Sequence, residues 1–186
     1  HPDTPNIEVD APPVYLTGVS NADSRSAAKD MPNLGVLLTP RTQQYRTHLN
    51  DYQFFGVDNG AFTGKFNEKG FYKLLDNIRA QGDAGKALFA AAPDVVGNWQ
   101  ATLKSSEPHL DRIRDAGFPV AIVLQNGATV ETIPWDRIDA LFVGGDDNFK
   151  LAQKDASGNI DPKGEMLPII REAKKRDVPI HYGRVN

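Results

Sequence analysis

Short apolar runs recur along this chain, and the segments between them carry helical spacing. The clearest runs are Leu34 to Leu38, Gln53 to Val57, Ala87 to Ala91, Pro119 to Leu124 and Ala140 to Val143. They are near-continuous rather than alternating, which marks strands covered on both faces of a sheet. Val14 to Val19 and Val178 to Tyr182 read as two more, giving seven. Helices are predicted over Asn67 to Ala80, Asn98 to Ala116 and Gly164 to Arg176. In the first, Phe71, Leu74, Leu75 and Ile78 fall at spacings of three and four. A short helix is predicted over Arg41 to Leu49, and a helical turn from Asn148 to Lys150. The segment Ser20 to Asp30 reads only as a polar stretch, and Pro108 as a possible interruption of the second long helix.

Strands alternating with helices predict a parallel α/β sheet. Seven strands are one short of a TM-independent count of eight for a TIM (β/α)8-type barrel, and 186 residues fall short of the roughly 250 of a complete one. The expectation is therefore such a barrel lacking its last strand and C-terminal part. It occupies residues 14 to 186 as a single domain, behind an extended polar segment, residues 1 to 13. A doubly wound open sheet is the alternative. The last strand is followed by only four residues, which reads as part of a longer protein.

Charge and composition narrow the function classes little. The net charge is -3, which neither favours nor excludes a nucleic-acid partner, because a local basic rim can coexist with an acidic total. The chain has no cysteine, which removes thiolate nucleophiles, disulfides and cysteine zinc sites from it. Residues 1 to 13 lack the apolar core of a signal peptide, and no run approaches the 18 or so apolar residues of a membrane span.

Polar motifs follow the strands: Asp58-Asn59-Gly60-Ala61-Phe62, Ala92-Pro93-Asp94, Leu124-Gln125-Asn126-Gly127, Phe142-Val143-Gly144-Gly145-Asp146 and His181-Tyr182-Gly183-Arg184-Val185-Asn186. In a barrel such positions share one mouth. Asp58 reads either as a turn residue or as an acid, base or nucleophile at a strand end. Phe62 reads as packing or as the wall of a ring-binding slot. Asp94 is either a helix cap or a carboxylate accepting two N–H groups from a guanine-like edge. Gln125 leaves the most apolar strand, so its amide must find partners: it ties down a loop or donates to a base carbonyl. Gly144-Gly145 is a tight turn or a backbone-donor loop, and it matches no nucleotide-binding fingerprint. Asp146 and Asp147 read as solvent carboxylates or a cap, with no convincing metal spacing. Lys150, His181 and Arg184 could form a positive rim for phosphate. Trp99 covers a pocket or seats its helix, and His48 and His109 are expected in exposed helical positions.

Taken in order, Asp58-Asn59-Gly60-Ala61-Phe62, Pro93-Asp94, Gln125 with Gly127, Gly144-Gly145 and Gly183-Arg184-Val185-Asn186 resemble the landmarks of the queuine tRNA-ribosyltransferase superfamily. They are most similar to the phage and bacterial branch that places 7-deazaguanines in DNA, the DpdA-like proteins. The resemblance implies a base-exchange transglycosylase that replaces guanine with a 7-deazaguanine. It implies Asp58 as general acid/base, and Asp94, Gln125, Gly144 and Gly145 as base-binding residues. The family nucleophile is an aspartate after a later strand, expected beyond Asn186. The implied partners are DNA, or tRNA in the alternative, and the free base. No cofactor or metal is expected in this segment, and the implied location is the cytoplasm of a bacterium or phage host. Asn59 and Ala61 depart from the tRNA branch. A base-binding protein without catalysis is the remaining alternative.

Overall fold

A computed structural model describes residues 13–63, 65–150, 157 and 165–183. The extended segment expected at residues 1 to 13 lies almost wholly outside the described residues. The chain divides into two compact units: His1–Ala90 with Arg112–Pro119, and Ala91–Asp111 with Val120–Asn186.

The first unit holds β1 (Tyr15–Thr17), α1 (Ala22–Asp30), β2 (Leu34–Leu38), a 3-10 helix (Gln43–Asp51), β3 (Phe55–Val57), α2 (Glu68–Ala80) and β4 (Ala87–Ala91), which reaches the unit boundary. β1, β2, β3 and β4 pair in parallel, with Val36 opposite Phe55 and Leu38 opposite Val57. Their core is apolar on both faces: Val36, Leu38, Phe55 and Val57 are all fully buried. On α2 the four residues picked out by spacing, Phe71, Leu74, Leu75 and Ile78, are fully buried. Each such side chain is worth about 1.5–3 kcal/mol of transfer free energy. The Asn67 side chain caps this helix by accepting from the Gly70 amide.

α1 occupies what reads in sequence as a polar stretch. Only Ala28 of its nine residues is buried, so hydrophobic spacing gives no warning of it. It is started by Asn21, whose side chain accepts from the Ser24 amide while the Ser24 hydroxyl accepts from the Asn21 amide. A polar network joins α1 to the 3-10 helix. Ser20 Oγ lies 3.0 Å from His48 Nδ1 and 3.1 Å from Tyr52 Oη. Tyr52 Oη lies 3.2 Å from Ser24 Oγ, and Arg25 Nη1 lies 2.8 Å from His48 Nε2. His48 is thus a bonded, half-buried residue, not the unremarkable exposed one expected. His109 is also buried.

The second unit holds α3 (Trp99–Asp115) as far as Asp111, β5 (Val120–Leu124), β6 (Ala140–Val143), α4 (Asp147–Lys150), α5 (Met166–Lys175) and β7 (Ile180–Tyr182). All five residues of β5 and all four of β6 are buried, the condition their unbroken apolar runs require. β5, β6 and β7 pair in parallel, and the Ala92 amide extends the ladder by donating to Ala121 O. α3 runs through Pro108 without interruption.

The strands follow one another in the order β1-β2-β3-β4-β5-β6-β7. β1 bonds β2 and β7 bonds β6, so the order has two ends and the sheet is open. This overturns the TIM-type barrel: closure requires the first and last strands to join. The apolar runs correctly required burial on both faces, but an open sheet covered by helices meets that requirement as well as a barrel does. Among the described residues, no helix is long and apolar enough to cross a membrane.

Candidate functional site

In the second unit, three strand-end loops converge on one carboxylate. Pro93 and Asp94 leave β4 into a loop that α3 holds from below. Ser106 Oγ donates to Pro93 O at 2.8 Å, and Thr102 Oγ1 both accepts from the Val95 amide and donates to Val95 O. Both hydroxyls are buried, at 1% and 0% exposure, so the loop is fixed by groups with no competing water. The sequence reading missed them. Their only signal is a pair of hydroxyl residues four apart on a helix following Pro93-Asp94.

Gln125, at the end of β5, is 2% exposed. Its Nε2 donates to Asp94 Oδ2 at 2.6 Å, and its Oε1 accepts from the Gly97 amide at 2.8 Å. The Gly97 bond decides the amide's orientation, because only the oxygen can accept from a backbone N–H. The β6 loop closes over this amide. A Cβ on Gly144 would stand 2.6 Å from Gln125 Nε2, 2.9 Å from Leu124 O and 3.0 Å from Val123 Cγ1. Only glycine permits that approach.

The next turn is built by Asn126 and Asp146. Asn126 Oδ1 accepts from the Asp146 amide, and Asp146 Oδ1 accepts from the Phe149 amide, capping α4. The Asn126 side chain, and then the Phe149 amide, hold the Asp146 carboxyl below the usual carboxylate range. Gly145 sits at φ +78, in the left-handed region, which allows the turn. Trp99 is 1% exposed, with its indole N–H donating to Thr132 Oγ1 at 2.7 Å. It seats the helix.

The expected phosphate rim is weaker than its residue types suggest. Lys150 Nζ donates at 3.4 Å to Gly183 O, on the loop after β7. His181 lies beside Phe142 in the sheet, edge to face at 4.8 Å between ring centroids. Burial pushes its pKa down to about 4, so near neutral pH it is an uncharged ring and not a phosphate-binding cation. Arg184 lies outside the described residues.

In the first unit, Asp58 is half-buried at the end of β3. Its Oδ1 accepts from the Gly60 amide at 2.7 Å, and its own amide donates to Leu38 O. Asn59 repeats the pattern on the Ala61 amide. The turn reading of Asp58 is therefore realised by one carboxyl oxygen. Phe62 is 56% exposed, so it is surface and not packing. A depression of about 600 Å³ in this unit is lined by Glu68, Lys69, Tyr72, Lys73, Asp76 and Arg112. It lies on the helices, away from the strand ends, and Arg112 already stacks over the Tyr72 ring at 3.6 Å.

Among the described residues, no cluster of three or more His, Asp or Glu side chains is placed to hold a metal ion. No protein-family model matches the chain, and no curated protein matches it in sequence. Asp94, Gln125 and Gly144 are thus the expected site residues that come together. They form a carboxylate fixed by a neutral amide, against a glycine surface. Such a set suits a planar ligand that offers paired N–H donors.

Proposed function

We propose that the protein is a base-exchange transglycosylase that replaces guanine with a 7-deazaguanine in DNA through a glycosyl-enzyme intermediate. The observation that carries this reading is the Asp94 carboxylate, held at a strand end by the Gln125 amide and backed by Gly144. A carboxylate accepts the ring N–H and exocyclic amine of guanine together, and adenine presents an acceptor where one of these donors is needed. The ordered motifs after successive strands support the same reading. Asp58, with one oxygen tied to its turn, manages the proton on the departing and arriving base. The substrate base must be unstacked before it reaches such a site. The partners are DNA and the free base, and the setting is cytoplasmic.

The test incubates the protein with duplex DNA and a 7-deazaguanine such as preQ0, digests the DNA and reads the nucleosides by mass. A modified nucleoside, or exchange of labelled guanine into DNA, is expected. Absence of both refutes the activity, and modification confined to RNA moves the substrate to tRNA. A second reading, base binding without exchange, is favoured by the engagement of Asp58 Oδ1 in its own turn. It predicts guanine binding in calorimetry with no exchange.

A further inference from the structure

The resemblance gives Gln125 to the base, but its surroundings assign it to Asp94. The side chain is buried at 2% exposure. Its oxygen is bonded to the Gly97 amide, its nitrogen is bonded to Asp94, and Gly144 packs against that nitrogen. We propose that Gln125 is a positioning residue that selects guanine indirectly, by holding the Asp94 carboxylate in the plane where it meets paired N–H donors. This rests on the base-binding reading above.

The chemistry requires a neutral donor at this position. A carboxylate offers about four acceptor positions, so the Gln125 bond occupies one and sets the direction of the others. An amide can donate to Asp94 and accept from Gly97 at once, with no charge. A glutamate of nearly the same shape would place a second carboxylate at hydrogen-bond distance. Two such groups cannot both ionise cheaply, so they share one proton. Once protonated, the pair regains a donor directed at Asp94. Deprotonated, it drives the Asp94 carboxylate out of position.

Indirect selection differs from direct reading in which ligand atom carries the effect. Hypoxanthine keeps the ring N–H and the carbonyl of guanine and lacks only the exocyclic amine, which Asp94 reads. If Gln125 acts through Asp94, its loss collapses the preference for guanine over hypoxanthine. If Gln125 bonded the carbonyl, which both bases share, its loss would weaken both equally.

The experiment measures guanine and hypoxanthine binding by calorimetry for the wild type, Gln125→Ala, Asp94→Ala, the double variant and Gln125→Glu, with folding checked by circular dichroism at each pH. The wild type should prefer guanine by about 10-fold or more. Gln125→Ala should lose most of that preference, and the double variant should be no worse than Asp94→Ala, since the two substitutions remove one interaction. Gln125→Glu should bind guanine poorly near about pH 8 and recover it near about pH 5, a rescue absent from Gln125→Ala. If Gln125→Ala does not fold, the Gln125→Glu pH profile decides alone. A wild-type preference that survives Gln125→Ala, or no acid rescue in folded Gln125→Glu, overturns the positioning role and leaves the base site standing. A wild type with no preference for guanine removes the base site, and the inference with it.

Discussion

Replacing Gly144 with alanine tests the closeness of the three loops directly. Its φ lies outside the left-handed region, so the cost of a methyl there is steric and not dihedral. The added carbon would meet Gln125 Nε2 at 2.6 Å and Leu124 O at 2.9 Å. The first neighbour is a side chain that can swing away, at the expense of its bonds to Asp94 and Gly97. The second is backbone, and it already accepts from the Gly144 amide at 2.9 Å. Moving it means opening the β5–β6 ladder. Overpacking of this kind costs about 1–3 kcal/mol, and loss of a bond to a charged group adds about 1.5–3 kcal/mol. The sum, about 2–5 kcal/mol, lowers Tm by roughly 5–15 °C in a chain of this size. Thermal and urea unfolding followed by circular dichroism measure it. Adding Gln125→Ala to Gly144→Ala should then cost less than Gln125→Ala does alone, because the amide has already been displaced. A Gly144→Ala protein within about 0.5 kcal/mol of wild type would refute the close approach of the β6 loop to Gln125.

Three further outcomes are expected. Asp58→Asn keeps an oxygen for the Gly60 amide, so stability should change by less than about 0.5 kcal/mol, while base exchange falls by about 100- to 10,000-fold. Wild-type exchange by that variant would remove Asp58 from catalysis. Asp94→Ala should cut guanine affinity by about 10- to 150-fold and leave nonspecific DNA binding unchanged, and an unchanged guanine-over-adenine preference in calorimetry would sink the assignment. His181 binds its proton less readily folded than unfolded, its pKa held down to about 4 by burial. The unfolded chain therefore takes up more protons as pH falls from about 6.5. Stability should be full above that pH and decline toward pH 4, by on the order of 1–3 kcal/mol. Urea midpoints measured against pH should flatten in His181→Gln, and an equally steep acid limb in that variant would show that another group titrates.

How much of this was legible in the sequence depends on how local the cause is. β5 and β6 were visible because burial on both faces leaves an unbroken apolar run. α2 was visible because its four buried residues fall on one helical stripe. α1 was not, because a helix with a single buried residue has no stripe, although Asn21 and Ser24 carried the capping signal at the right spacing. Whether the sheet closes was not legible either. Closure depends on whether β1 and β7 meet, and neither strand's composition encodes its far partner. The meeting of Asp94, Gln125 and Gly144 was expected. That the amide of Gln125 turns toward the aspartate was not, because the bond spans 31 positions and depends on the backbone amide of Gly97.

The network beside α1 sets a direction for its protons. Arg25 can only donate, so His48 Nε2 must accept, and the imidazole hydrogen sits on Nδ1, facing Ser20. Ser20 Oγ then receives from the histidine and gives its own hydrogen to Tyr52. Tyr52 gives to Ser24, and Ser24 to Asn21 O. Every hydroxyl in the row has one orientation left to it. A serine next to a histidine often invites reading as a nucleophile and its base, but here the ring is on the giving side and has no lone pair to offer the hydroxyl. Ser20 should therefore ignore a fluorophosphonate probe. The row works as a one-way brace between two helices, locked at one end by a cation and at the other by a carbonyl.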